Sequence, residues 1–213
     1  CSNFMKNKKQ KAGSGSSKGI SRRGFLRGAG LSTAGSVLLT SEVFAFEYEE
    51  EKGTELGPDA TTIQMKVNGR MWSLSVEPRT TLASALRDHL ELTGTKVVCD
   101  RGSCSACTVY VDGKPVNSCM MSVFDVGDKE VTTIEGIAKN GNLHPVQEAF
   151  IEHDASQCGY CTPGMVMSCA HLLDHNSNPT LEDVKDATRG NLCRCGTYPH
   201  VFKATLDAAK KLS

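Results

Sequence analysis

Eight of the ten cysteines in this 213-residue chain fall into two sets with fixed gaps. Cys99, Cys104, Cys107 and Cys119 read C-x4-C-x2-C-x11-C, and Cys158, Cys161, Cys193 and Cys195 read C-x2-C-x31-C-x-C. A chain that gathers four sulfurs at each of two places must fold around those places, whether the sulfurs meet as disulfides or around metal. Disulfides explain the gaps poorly. A C-x-C pair is a strained geometry for a direct bridge, and eight cysteines allow about a hundred pairings with no reason for these spacings. Cys169 stands apart from both sets, between apolar neighbours, as a buried and inert thiol would.

The C-x4-C-x2-C run has the spacing that plant-type ferredoxins use for a [2Fe–2S] cluster. Two irons need four thiolates converging from one side. Gly102, Ser103, Ser105 and Ala106 are small enough for the backbone to wrap the sulfurs and aim N–H groups at them. Cys119 is expected to close the site from a later strand. Zinc remains a rival for either C-x2-C pair, although C-x31-C-x-C is unlike the usual paired knuckles. Six histidines raise a mixed His/Cys site, but two complete quartets leave no vacancy for it.

The flanks predict two lobes. "TTIQMKVNGRMWSLSV" alternates apolar and polar residues around Asn68-Gly69, a hairpin signal. "TTLASALRDHLEL" puts Leu82, Ala85, Leu86 and Leu90 at helical spacing, with Thr80 or Thr81 as cap and Gly94 beyond the end. "TVYVDGKPVNSCMMSV" predicts a second hairpin at Asp112-Gly113. Hairpin, helix, cysteine loop and hairpin form a β-grasp order over 61–137. From 138 to 213 the pattern is helical: "HPVQEAFIEHD", "TPGMVMSCAHLLDHN" with a capping Thr162 and Pro163, "NPTLEDVKDAT", and "YPHVFKATLDAAKKL". His144 reads as a cap or packing residue. Four short helices with cysteines at their termini make a small bundle, and helix N-termini favour anionic thiolates. The expected class is α+β: a ferredoxin-like lobe followed by a four-helix cluster-binding lobe.

The N-terminal 45 residues differ in kind. They hold eight Lys/Arg and one acid, Glu42, which leaves the remainder with 16 basic and 23 acidic residues, net −7. A basic leader on an acidic body argues against nucleic acid as partner. "SRRGFLRG" from Ser21, followed by a mildly apolar run, resembles a twin-arginine export signal. The run is too short and too rich in Gly and Ser for a membrane span. Cleavage is expected after Ala45 and a periplasmic location with it, by way of the twin-arginine machinery. Met5 opens "MKNKKQK", a natural charged start for such a leader. Residues 46–60, with "EYEEE", read as an acidic linker.

Taken together, "CDRGSCSACTV", "QCGYCTPGM" and "GNLCRCGTYP" resemble the three signatures of the small iron–sulfur subunit of molybdenum hydroxylases, the xanthine oxidase family. The resemblance spans about residues 61–213. That family usually has Gly where this chain has Ser105. The order Gly196-Thr197 after Cys195 is similar to the exported isoquinoline 1-oxidoreductase and periplasmic aldehyde oxidoreductase subgroup.

The resemblance implies that Cys158, Cys161, Cys193 and Cys195 hold the [2Fe–2S] cluster nearest a molybdenum centre, and Cys99, Cys104, Cys107 and Cys119 an outer one. It implies that Gln157 and Cys195 touch the pterin of a molybdopterin cofactor held by a large subunit. Electrons would pass through both clusters to a flavin subunit or a cytochrome, and the substrate would be an aldehyde or an N-heterocycle oxidised with water as oxygen source. No catalytic residue is expected here, because the bond chemistry belongs to the large subunit. The alternative is a free-standing two-cluster ferredoxin. A helical bundle is more than a free carrier needs. No dinucleotide fingerprint or P-loop follows a strand.

Overall fold

The computed structural model describes Arg23 and residues 56–212. The leader over 1–45 (Arg23 aside) and the linker up to residue 55 lie outside the described residues. The described body belongs to one compact unit, Glu55–Ser213. β1 (Thr61–Val67) and β2 (Arg70–Val76) pair antiparallel, Val67 facing Arg70 and Thr61 facing Val76. The turn between them places Asn68 and Gly69 at φ 51° and 77°, the left-handed pair that a two-residue hairpin loop requires. β3 (Thr108–Val111) and β4 (Lys114–Asn117) form the second hairpin around Asp112 and Gly113, at φ 48° and 75°.

A fifth strand, β5 (Glu130–Thr132), runs parallel to β1 and antiparallel to β3, giving the order β2-β1-β5-β3-β4. Alternating side chains from the sheet, Met65, Val67, Leu74, Val76, Val109 and Val131, meet in one core. Leu82, Ala85, Leu86 and Leu90 close that core from α1, which is α-helical over Leu82–Ser84 and continues as a π-helical turn over Ala85–His89. Thr81 is its cap, accepting from the Ser84 N–H. The widening is visible at Leu90, whose N–H reaches the Ala85 carbonyl five residues back. This is the β-grasp arrangement.

The second lobe packs α2 (Pro145–Glu152), α3 (Thr162–His175), α4 (Leu181–Thr188) and α5 (Tyr198–Leu212) around Val146, Phe150, Met165, Met167, Leu173 and Val201. His144 caps α2: its Nδ1 accepts from the Val146 N–H, and its own N–H donates to Gln147 Oε1. Thr180 caps α4 in a reciprocal box with Asp183. One expected cap is absent. At the start of α3 the cap position belongs to Cys161, with no side-chain cap bond, and the Thr162 hydroxyl bonds Ser156 instead. The chain gives up a conventional cap to present a cysteine at that helix start.

The lobes interlock. The ring of Tyr110, on β3, is part of the helical core, and its hydroxyl donates to the Met167 carbonyl. Gly164, in the first turn of α3, lies against the backbone of Ser105 and Ala106. The Asn191 amide donates to the Ser105 carbonyl at 3.2 Å.

Candidate metal centres

The first quartet is built by a loop that turns repeatedly. Asp100, Gly102 and Ser105 all sit in the left-handed region, at φ 52°, 70° and 52°. Such a path curls the backbone around the sulfurs, and the Ser103 N–H points at Cys99 Sγ, 3.3 Å away. Ser105 is strained in a way that glycine is not, which gives a physical reason for the glycine usual in the family whose signatures the chain resembles. Asn117 Nδ2 donates to the Gly102 carbonyl and Ser118 Oγ to the Cys107 carbonyl, tying the loop to the end of β4. Cys119 arrives from the 3-10 turn Ser118–Met120 that follows β4, not from a strand. That turn reverses the chain where a strand would have carried it past. Cys104, Cys107 and Cys119 are buried and Cys99 is half-buried.

The second quartet joins two chain segments. Cys158 precedes α3, Cys161 stands at its start, and Cys193 and Cys195 lie in the loop before α5. Tyr198 holds that loop: its hydroxyl accepts from the Cys193 N–H at 2.8 Å and donates to the Asn191 carbonyl at 3.0 Å. The buried Thr197 brings its hydroxyl within 3.3 Å of Cys193 Sγ. Asn191 is itself buried and accepts from Ser168. Thr197, Tyr198 and Asn191 are the positioning residues that spacing alone did not single out. They sit inside the motif that the cysteines define, so the motif's flanks were the available signal.

The sulfurs meet two by two. In the first quartet Cys104 is the thiol that helps lower Cys99, and Cys107 the one that acts on Cys119. In the second, Cys158 acts on Cys195 and Cys193 on Cys161 in the same way. Each of these contacts stays within its own quartet. A two-iron cluster takes two thiolates on each iron, so two pairs per site suit it. A single zinc needs its sulfurs mutually about 3.8 Å apart, from bonds of about 2.3 Å. Among the described residues no three cysteine sulfurs lie within 4.8 Å of one another.

The electrostatics are uneven. The backbone N–H of Arg101, with Cys104, holds Cys99 down to about 7. Burial pushes Cys193 up, but Thr197 and Cys161 outweigh it and hold it at about 7. Burial pushes Cys119 up to about 11 and Cys161 up to about 12. Each site thus offers a ready thiolate beside sulfurs that release their protons only to metal.

Cys169 belongs to neither site. It is fully buried in α3, and burial pushes it up to about 12 from an ordinary 9.0. In the folded chain it is expected to resist iodoacetamide at pH 8, and a mass shift at Cys169 without denaturant would refute this. Because its pKa is raised on folding, its contribution to stability is complete below about 9 and lost as pH rises through about 12.

Comparison with known proteins settles the family. A 2Fe-2S iron-sulfur cluster binding domain matches residues 65–136 and a [2Fe-2S] binding domain matches residues 133–206. The aldehyde oxidoreductase iron-sulfur-binding subunit PaoA of Escherichia coli O157:H7 is 42% identical over 170 residues, covering 73% of this chain and 74% of that one. The chain belongs to the small iron–sulfur subunits of the molybdenum hydroxylases. The nicotine 6-hydroxylase small subunit of Paenarthrobacter nicotinovorans is 44% identical to this subunit, over 70% of it and 90% of the relative.

Among solved structures, quinoline 2-oxidoreductase of Pseudomonas putida 86 superposes with a TM-score of 0.66 at 35% identity, over 72% of the subunit and 98% of the matched chain. The aldehyde oxidoreductase of Desulfovibrio gigas superposes with a TM-score of 0.67 at 41% identity, but the subunit spans only 17% of that longer chain. The β-grasp lobe and the four-helix lobe are the fold this family shares. Relatives such as PaoA and the nicotine 6-hydroxylase small subunit are named as subunits of larger oxidoreductases.

Proposed function

We propose that the subunit carries electrons from a partner's molybdenum centre, entering at Cys158, Cys161, Cys193 and Cys195 and leaving from Cys99, Cys104, Cys107 and Cys119. When bound, a [2Fe–2S] cluster in each quartet supplies one-electron transfer. The observation that carries the reading is the bond between the quartets: the Leu192 N–H donates to the Cys104 carbonyl at 3.0 Å. Leu192 precedes Cys193, so one hydrogen bond joins a ligand residue of one site to the neighbour of a ligand residue of the other.

The two sites differ in exposure as entry and relay require. Cys158 and Cys195 are exposed, whereas Cys104, Cys107 and Cys119 are buried. Tyr160 and Leu192, beside the second quartet, are 60% and 57% exposed. Large apolar side chains presented at a redox site suit a face that a partner covers. Gln157 and Cys195 are both exposed there, open to the pterin of a molybdopterin cofactor held by that partner. The acceptor is a flavin subunit or a cytochrome. The leader sends the loaded subunit to the periplasm by the twin-arginine route. Relatives named for aldehydes and for nicotine support an aldehyde or an N-heterocycle as substrate class.

The test is purification of the native complex from the periplasmic fraction, with metal analysis and EPR. Molybdenum in a co-purifying large chain, with two iron–sulfur signals that substrate reduces, is the expected result. An iron–sulfur protein that purifies alone, without molybdenum, would leave the free-standing ferredoxin in its place.

A further inference from the structure

Three Lys or Arg side chains among the described residues are half-buried: Lys66, Arg87 and Lys96. Lys66 has an acidic partner, Glu130, at 2.8 Å. Arg87 and Lys96 form no ion pair among the described residues. They converge on the same short loop instead. Arg87 Nη1 donates to the Thr93 and Thr95 carbonyls at 2.9 and 2.7 Å, and Lys96 Nζ donates to the Thr93 carbonyl at 2.7 Å. Carbonyl oxygens orient the two cations but carry no full charge to balance them. The loop keeps further unused polar capacity: the Thr95 hydroxyl is buried with no hydrogen-bond partner among the described residues.

The two cations line a pocket of about 380 Å³, together with Val97, Cys158, Gly159 and Tyr160. The pocket therefore spans both lobes and opens beside the second quartet. A partly desolvated double positive charge is costly unless something anionic completes it. Elsewhere the body is acidic, net −7 outside the leader, so this is a local reversal of sign. Its neighbour is the 60%-exposed Tyr160, a large amphipathic side chain of the kind that anchors protein interfaces.

We infer that the pocket formed by Arg87 and Lys96 receives an acidic side chain of the molybdenum-bearing partner, with Tyr160 packing beside it. The inference rests on the functional reading above and adds the chemistry of the contact. The planar guanidinium keeps donors beyond Nη1 for a carboxylate, and the ammonium supplies a second charge. A carboxylate seated there is held by the two cations of the first lobe and fixes the partner's register beside Cys158 and Tyr160 of the second. An inorganic anion would leave Tyr160 uncovered, which is why a protein side chain is the occupant.

The test measures affinity of the full-length, cluster-loaded subunit for the purified molybdenum-bearing chain, across a range of salt. Lys96→Gln and Arg87→Gln are each expected to weaken binding roughly 30-fold, as removal of one partner from a desolvated charge pair does, and to flatten its salt dependence. Lys96→Arg should retain affinity within about three-fold, with both cluster EPR signals unchanged in every variant. Arg87 also braces the loop, so Lys96→Gln is the deciding variant. Unchanged affinity and salt dependence for Lys96→Gln, with intact EPR signals, overturn the pocket's role and leave the electron-relay reading standing. A wild-type subunit that binds no molybdenum-bearing chain overturns both.

Discussion

Cys193→Ser is expected to remove one iron–sulfur centre and leave the other. Iron should fall from about four to about two per chain, with one of two EPR signals lost. Cys193 is the member of its quartet held down to about 7, and it pairs with Cys161, which burial pushes up to about 12. Serine cannot replace a soft thiolate for iron. The remaining sulfurs, Cys158 and Cys195, are exposed, so nothing encloses a partial cluster. The thiols that shift Cys99 and Cys119 in the first quartet, Cys104 and Cys107, all belong to that quartet. Its signal should survive, but substrate should no longer reduce it within the complex. Dithionite, which needs no relay, should still do so. Loss of both signals would mean that the sites assemble as one unit, and retention of both would mean that Cys193 is no ligand.

The features most legible in the sequence were local ones. The Asn68-Gly69 and Asp112-Gly113 turns were readable because few dipeptides tolerate two consecutive left-handed residues, and both turns form as expected. The helices were readable because each carries an apolar face, and α1, α2 and α4 a capping side chain as well. The two cysteine sets were readable because each keeps the short fixed gaps that cluster-binding loops use. What was not legible depended on contacts between distant segments. β5 is three residues long, too short for any periodicity, and exists because β1 and β3 both pair with it. The cap of α3 was misread because Thr162 has the chemistry of a cap, while Cys161 occupies the position for a reason outside the helix. Nothing in the sequence marked Asn191. Its place between Ser105, Ser168 and Tyr198 appears only when the lobes are together.

Gly164→Ala is expected to be the most damaging substitution outside the cysteines, and it tests that junction directly. In an isolated helix, alanine would gain up to about 1 kcal/mol over glycine. Here the added Cβ would lie 2.1 Å from the Ser105 carbonyl oxygen and 3.1 Å from the Ala106 Cα. Both are backbone atoms, so no side chain can swing away. The loop or the helix must move, at a cost of about 1–3 kcal/mol for overpacking of this kind, and the helix gain offsets only part of it. For a body of this size each kcal/mol lowers the melting temperature by about 2–4 °C, so a fall of roughly 5 °C is expected by calorimetry.

The displacement should also be legible at the metal. Ser105 lies between Cys104 and Cys107, its carbonyl accepts from Asn191, and the neighbouring Cys104 carbonyl accepts from Leu192. Moving that backbone loosens both of these hydrogen bonds between the two cysteine loops. Slower reduction of the first centre by substrate, at unchanged iron content, should accompany the fall in melting temperature. A melting temperature at or above the wild-type value would show that the close approach of α3 to the cysteine loop is not what holds the lobes together.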